Sequence, residues 1–465
     1  MKRTTPGPAY RYPLALPALD PAQVEPVLAE LLRRDGWNRD TLLDFQRQCL
    51  ARVLRHAVTE SLYYHEAIGA AVAAGAALAD LPALTKSDLM GNWDRIVTDP
   101  RLRLRDVERH LASPQAGMPV FGEYRAYATG GTTGERAVVV YGQPGWLQTM
   151  SNMLRLLRML GATPQARALG IGAPTPLHIT NRAFAELSGG RSEVPRLSVL
   201  SPLTEIVAAL NEYQPEIIFT YPSFIRRLAE EQDAGRLAVR PARFVSTAEV
   251  LTGHVRLLAR QTWGAQVFNG YGTTEAGLLG TECEHAAGVH IAEDMVVFES
   301  VDEANRPVPP GTPGVKILVT TLYDSPLPLI RYEISDIVAV EADPCPCGRP
   351  YRRLASIAGR REDTLSLLTP DGRPLRLHAG RLRAPLDGVP GLRQYQLVQR
   401  SPGSILVQIT VRNPAGAGDV AAGTRSAIEH GLRSAGARPG ILDIEVVDAI
   451  ERRGAAAKEC LLGAR

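Results

Sequence analysis

Residues 127–137 read YATGGTTGERA and set Gly130, Gly131, Thr132, Thr133 and Gly134 in succession. Closely spaced glycines let several backbone N–H groups converge on one phosphate, and threonine hydroxyls add neutral donors. The order of a Walker A loop is absent, and Glu135 and Arg136 stand where such loops usually carry a lysine. An anion held there must draw its compensating charge from Arg136 or from elsewhere in the chain. Only Lys2, Lys86, Lys316 and Lys458 are lysines, so Lys458 in ERRGAAAKECLL is an informative cation. Three further segments carry candidate polar groups: FNGYGTTEAG (268–277) with Tyr271 and Glu275, LIRYEISDIV (329–338) with Asp336, and the charged turn GRREDTL (359–365) with Arg360. Each has a plainer reading. Asp336 could cap a turn, Glu275 could open a helix, where a carboxylate is favourable, and Lys458 could be a surface residue of a frayed tail.

A second set has the chemistry of a metal centre. Cys345-Pro-Cys347-Gly348 is a tight C-x-C turn, and Cys283, His285 and His290 precede it. Three thiolates and one imidazole match a closed, tetrahedral, structural zinc site. Reduced buried thiols without a metal are the alternative, and the pattern alone leaves both histidines open.

Composition limits what such residues could serve. A hydrophobic content of 45%, a charged content of 22% and a net charge of +3 describe an ordinary globular chain, with no bias towards nucleic acid or membranes. No run approaches the ~20 apolar residues of a membrane span, and prolines interrupt the start where a signal peptide needs an apolar stretch. Five cysteines, an odd and sparse set, suit a reducing cytoplasm, with Cys49 and Cys460 as plain core or tail residues.

The elements that must position these residues follow from periodicity. Residues 21–75 are helical in pattern, and Thr85 or Ser87 would cap a short helix. Between about 105 and 335, the runs AVVVYG, ARALGIG, EIIFTYP, RFVSTAE and VKILVTTL predict strands, alternating with the helical GWLQTMSNMLRLLRML and SFIRRLAEEQDAG. That alternation predicts an α/β fold with largely parallel strands and ligand loops at strand ends. After a Cys/Pro/Gly-rich stretch, strand, strand, helix and strand follow, the order of a small α+β unit. We divide the chain into residues 1–358 and 359–465.

Taken in this order, the motifs resemble those of the adenylate-forming enzymes, on the branch of phenylacetate–CoA ligase and coenzyme F390 synthetase. The resemblance extends to YYHEAI…LADLPALTKSDLM and EYQPEIIFTYPSFIRRLAEE, and so covers nearly the whole chain. It implies a large N-terminal adenylating domain and a small mobile C-terminal domain. The activity it implies is ATP-dependent conversion of a carboxylic acid to acyl-AMP with release of pyrophosphate, followed by acyl transfer to a thiol, most often that of CoA. Transfer to a carrier protein or an amine, or a degenerate nucleotide-binding protein, are the alternatives.

By the same resemblance, Thr132, Thr133 and Gly134 would hold the ATP phosphates. Tyr271, Ala248 and Glu249 would line the adenine pocket together with Asn269, Gly272, Thr273 and Thr274. Glu275 would hold Mg²⁺, Asp336 the ribose hydroxyls, and Arg360 would lie near the nucleotide at a hinge over residues 359–363. Lys458 would reach the reacting carboxylate and α-phosphate. His178, Tyr221, Ser223, Phe224, Ser246 and Gly270 would form the acid pocket, suited to an aromatic acid. For the metal, GVHIAED is similar to a family segment and favours His290 over His285 beside Cys283, Cys345 and Cys347. The chain departs from the pattern after the hinge, where SLLTPDGRPLRLHAGRL replaces a stretch common in CoA-using relatives, and at Ala457, where glycine is commoner. Those departures bear on the acyl acceptor and leave adenylation untouched.

Overall fold

Three helices open the described chain because three polar side chains cap them. Asp20, Asn38 and Ser61 accept backbone N–H groups of Ala22, Thr41 and Tyr64, starting helices Pro21–Arg34, Arg39–Glu60 and Leu62–Ala73. Of the two candidate caps that follow, Thr85 does the work. It forms a reciprocal capping box with Asp88, while Ser87 lies inside helix Lys86–Gly91. The computed structural model describes residues 19–451 and 462, apart from 114, 130–135, 164–165, 174, 176–177, 189–194, 324 and 342.

A nine-stranded sheet organises the molecule. Its parallel half runs, from the edge inward, Arg196–Ser198, Ala168–Gly172, Ile217–Thr220, Arg243–Ser246 and Gln266–Thr273. The predicted strands and the helices Gln143–Met159 and Pro222–Asp233 fall where the sequence periodicity puts them, but AVVVYG and VKILVTTL pair antiparallel in separate small sheets and do not join the expected parallel one. The sheet then changes character. Gly277–Thr281, Val289–Ile291, Arg353–Arg360 and Asp336–Val340 continue it antiparallel. The turn between the halves is tight: a Cβ on Gly272 would lie 2.7 Å from the Gly277 carbonyl oxygen, so no larger residue fits without displacing backbone.

Packing divides into several cores. One gathers the N-terminal helices, the hairpin Arg125–Ala128/Val138–Tyr141 and the three-stranded sheet Val296–Val301, Lys316–Thr321, Tyr332–Ile334. A second fills the space between the parallel strands and helices Leu203–Tyr213, Pro222–Asp233 and Gly253–Trp263. A third is built only from residues at and beyond Leu365, in the hairpin Leu392–Ser401/Ser404–Val411, the helix Ala417–Ser434 and the parallel strand Ile441–Val446. Among the described residues no helix is long and apolar enough to cross a membrane.

Candidate active site and metal centre

In parallel sheets, ligands gather at the carboxyl ends of the strands, where chain direction and helix N-termini converge. Three neighbouring strands bring Thr220, Ser246 and Asn269 into register at that end. Loops leaving these strands carry Tyr221, Ala248, Glu249 and the hairpin turn after Thr273. Ala248 has φ +70°, the left-handed region that side chains with a Cβ avoid, and sits exposed at the loop tip.

The antiparallel half supplies the opposite wall. Asp336 and Arg360 are register partners on adjacent strands. Their side chains meet, Arg360 Nε lying 3.7 Å from Asp336 Oδ1. The other oxygen, Oδ2, accepts a 2.6 Å hydrogen bond from the buried Tyr271 phenol. Burial first, and then the facing carboxylate, push that phenol well above its usual range, so Tyr271 remains a proton donor. Glu275, in the hairpin turn and not at a helix start, accepts a 3.2 Å bond from Tyr332 at Oε1. Tyr332 is likewise held protonated, by burial and then by Glu275. Thr274 is fixed through its carbonyl, which accepts from Tyr141, and Thr273 Oγ1 accepts from the Ala276 amide.

Arg331 orients this wall from behind. It has φ +48°, is 2% exposed, pairs with Glu299 at 3.0 Å and donates to the carbonyls of Ala79, Leu81 and Asn305. The next residue is Tyr332, whose phenol donates to Glu275. Sequence patterns missed Tyr332 and Tyr141. The one available signal was that Tyr332 shares the LIRYEISD segment with Asp336.

Other sequence-designated residues take these places. Glu249 accepts from the Ser223 amide at 3.1 Å, setting a carboxylate at the N-terminus of helix Pro222–Asp233. Tyr221 and Phe224 pack in the second core, at 4% and 1% exposure. Gly270 is buried on its strand, where a Cβ would touch Thr247 at 3.4 Å. Ser246 is fully buried, and its Oγ lacks a hydrogen-bond partner among the described residues. His178 precedes helix Ile179–Ser188, its Nδ1 2.9 Å from Thr180 Oγ1. The Asn269 main-chain N–H donates to Oε2 of the Glu282 side chain at 2.8 Å. Thr132, Thr133, Gly134 and Lys458 lie outside the described residues.

Three of the cysteines converge where the turn after Gly277–Thr281 meets the connection between Asp336–Val340 and Arg353–Arg360. Ligand atoms of Cys283, His290, Cys345 and Cys347 all lie within 4.8 Å of one another. Cys283 Sγ is 3.7 Å from Cys345 Sγ, and Cys347 Sγ is 3.5 Å from His290 Nε2. A tetrahedron with Zn–S near ~2.3 Å has edges of about 3.8 Å, which these separations match. Burial lowers His290 to about 4, leaving the imidazole neutral at pH 7 and open to ligation. His285 is exposed on the intervening turn and outside the group.

Similarity to known proteins agrees with this geometry. A profile of the AMP-binding enzyme family matches residues 126–320. Phenylacetate-coenzyme A ligase of Thermus thermophilus is 31% identical over 324 residues, 66% of this chain and 69% of that protein. Among solved structures, 2-hydroxyisobutyryl-CoA ligase in the postadenylation state, in complex with R3-HIB-AMP, superposes with a TM-score of 0.71 at 18% identity, over 98% of this chain and 95% of that one. The same ligase in its thioesterification state, with 2-HIB-AMP and CoA, gives 0.54 at 18% identity over 97% and 94%. By its sequence and its fold, the chain belongs to the AMP-binding, adenylate-forming enzymes, in the family of the phenylacetate–CoA ligases.

Proposed function

We propose that this chain couples a carboxylic acid to a thiol in two steps, of which the first consumes ATP. In the first, an oxygen of the substrate carboxylate, already ionised at neutral pH, attacks the α-phosphorus of ATP. The new O–P bond forms as the bond to the bridging oxygen breaks, and pyrophosphate leaves with that electron pair. In the second, the sulfur of CoA bonds to the acyl carbon and AMP departs. The barrier of the first step is chiefly the repulsion between two anions, so the chain's task is to place positive and hydrogen-bonding groups where charge builds up.

The observation that carries this reading is the Tyr271–Asp336–Arg360 arrangement at the carboxyl end of the sheet, with Glu275 on the neighbouring turn. An ionised carboxylate suits the paired neutral donors of a ribose, and Tyr271 fixes its rotamer. The loop Thr132-Thr133-Gly134 takes the phosphates. Tyr271, Ala248 and Glu249 border the base. Magnesium, when bound, offsets phosphate charge, and Glu275 fits it because its partner at Oε1 is a neutral phenol and not a cation. Lys458 brings the cation that the glycine loop lacks, carried by a C-terminal unit, 359–465, that turns about residues 359–363 between the two steps.

The acid is aromatic, phenylacetate being the first candidate, and Ser246, with its unpartnered hydroxyl, sits in the floor of its pocket. The four-ligand cluster holds one structural zinc, with His290 as the nitrogen ligand. Unbridged cysteines among the described residues suit a reducing cytoplasm.

Isotope exchange between pyrophosphate and ATP, across a panel of phenylacetate, benzoate and aliphatic acids, tests the reading. We expect acid-dependent exchange, AMP as the nucleotide product, and a CoA thioester on adding CoA. Lys458→Ala should lower exchange by at least about a hundredfold while sparing ATP binding. Exchange with no acid, or ADP as product, overturns adenylation. Trapping only by an amine or a carrier thiol overturns CoA as acceptor.

A further inference from the structure

The seam between the third core and the rest of the molecule, away from residues 359–363, is made of ion pairs and hydrogen bonds. Asp387, its side chain 4% exposed, ends the short helix Arg383–Asp387 of the C-terminal unit. Its Oδ1 accepts from Tyr395 at 2.8 Å within that unit and from Arg226 Nη1, across the seam, at 3.4 Å. Its Oδ2 accepts from Thr252, also across the seam, at 2.7 Å. Glu230, on the same helix as Arg226, faces Arg393 and Arg412 of the C-terminal hairpin, each with Nε at 3.2 Å. Between these clusters lies an open-mouthed cavity of about 380 Å³, lined by these charged residues together with apolar ones such as Leu258, Leu386 and Leu392.

These features together describe a contact built to form and release. A fully packed apolar seam would cost buried surface to open, whereas this one borders open volume and is joined by four directional contacts. Its carboxylates come from opposite sides, Glu230 from the large unit and Asp387 from the small one. Closure therefore pairs Glu230 with two arginines and gives Asp387 partners beyond Tyr395, and a different orientation gives up these cross-seam pairs. The superposition has the same sense: the chain matches one ligase over nearly its full length better in the postadenylation state than in the thioesterification state, 0.71 against 0.54.

We infer that Asp387 and Glu230 are positioning residues that hold the C-terminal unit in the orientation that forms the adenylate, and that they let go before acyl transfer. The inference rests on the two-step reaction proposed above. Neither residue touches substrate; each acts through the placement of the unit that carries Lys458.

The test uses full-length Asp387→Asn, Glu230→Gln, their combination, and the milder, near-isosteric Thr252→Val in case the others fold poorly. Three quantities are read: pyrophosphate exchange with phenylacetate, thioester formation from synthetic phenylacetyl-adenylate and CoA, and the X-ray scattering profile of the free chain. In the double variant exchange should fall about tenfold, thioester formation from the supplied adenylate should hold within about twofold or rise, and the scattering should broaden towards larger dimensions. Thr252→Val should move the same way by less. Parallel loss of both half-reactions marks a merely structural role and overturns the inference, as does unchanged exchange with unchanged scattering. Wild-type protein inert towards phenylacetate counts against the proposed acid, and the scattering comparison then decides the seam alone.

Discussion

Asp336 shows how much of this site rests on single atoms. One oxygen is committed to Tyr271, at 2.6 Å, and the other faces Arg360 at 3.7 Å, a looser separation that leaves its lone pairs accessible. Asp336→Asn keeps the shape but replaces an acceptor oxygen by a donor, so AMP affinity measured by calorimetry should fall roughly 10- to 100-fold, the scale of charge-assisted hydrogen bonds. Tyr271→Phe leaves the carboxylate but frees its rotamer, and should cost about fivefold by the same measurement. Unchanged AMP affinity in both would remove Asp336 from the nucleotide site. Asp336, Arg360 and Glu275 were legible in the sequence because each sits in a short motif. Tyr332 and Arg331 were not, since an aromatic and an arginine in a strand read as ordinary packing until the partners Glu275 and Glu299 are seen.

Among the elements, two loops make distinct claims. The metal cluster joins the turn after strand Gly277–Thr281 to the long connection between strands Asp336–Val340 and Arg353–Arg360, so a cation there fastens three strands of the antiparallel half. Purified protein should contain about one zinc per chain. Cys345→Ser should release it and lower the melting temperature by about 5 °C or more. Metal-free protein of equal stability would exclude the role. The second loop is the turn after Arg360, where His378 Nε2 donates to the Arg360 carbonyl at 2.8 Å and Nδ1 accepts from the Gly380 amide at 3.1 Å. The bond at Nδ1 needs the neutral ring, whereas the one at Nε2 survives protonation, and burial holds the ring's pKa below the usual value. The stabilisation is therefore complete above about pH 6.5 and drains away as acid titrates the ring at lower pH. Melting curves from pH 8 to 5 should show wild-type protein losing more stability than His378→Gln. The strands Ala168–Gly172, Ile217–Thr220 and Arg243–Ser246 and the helices Gln143–Met159 and Pro222–Asp233 were readable from periods of two and 3.6. The antiparallel continuation of the sheet was not, because Val289–Ile291 is only three residues long and its partner in the sheet comes from Arg353–Arg360.

Across the whole molecule, the sequence disclosed the order of units but not how they touch. The strand, strand, helix, strand order from Leu392 to Val446 was plain, whereas pairs such as Glu230 with Arg412 join residues far apart on a surface crowded with arginine. Charge patterns of that kind have no local period to read. The wiring of Arg331 carries a consequence of another sort, in time. Its guanidinium closes on the Leu81 carbonyl across 250 residues of chain. A nascent polypeptide growing at about 5–20 residues per second would display the N-terminal helices for tens of seconds before their anchor emerged from the ribosome. Until then, the apolar surfaces meant for the first core stay uncovered. During that interval this protein is most exposed to chaperones, and to aggregation.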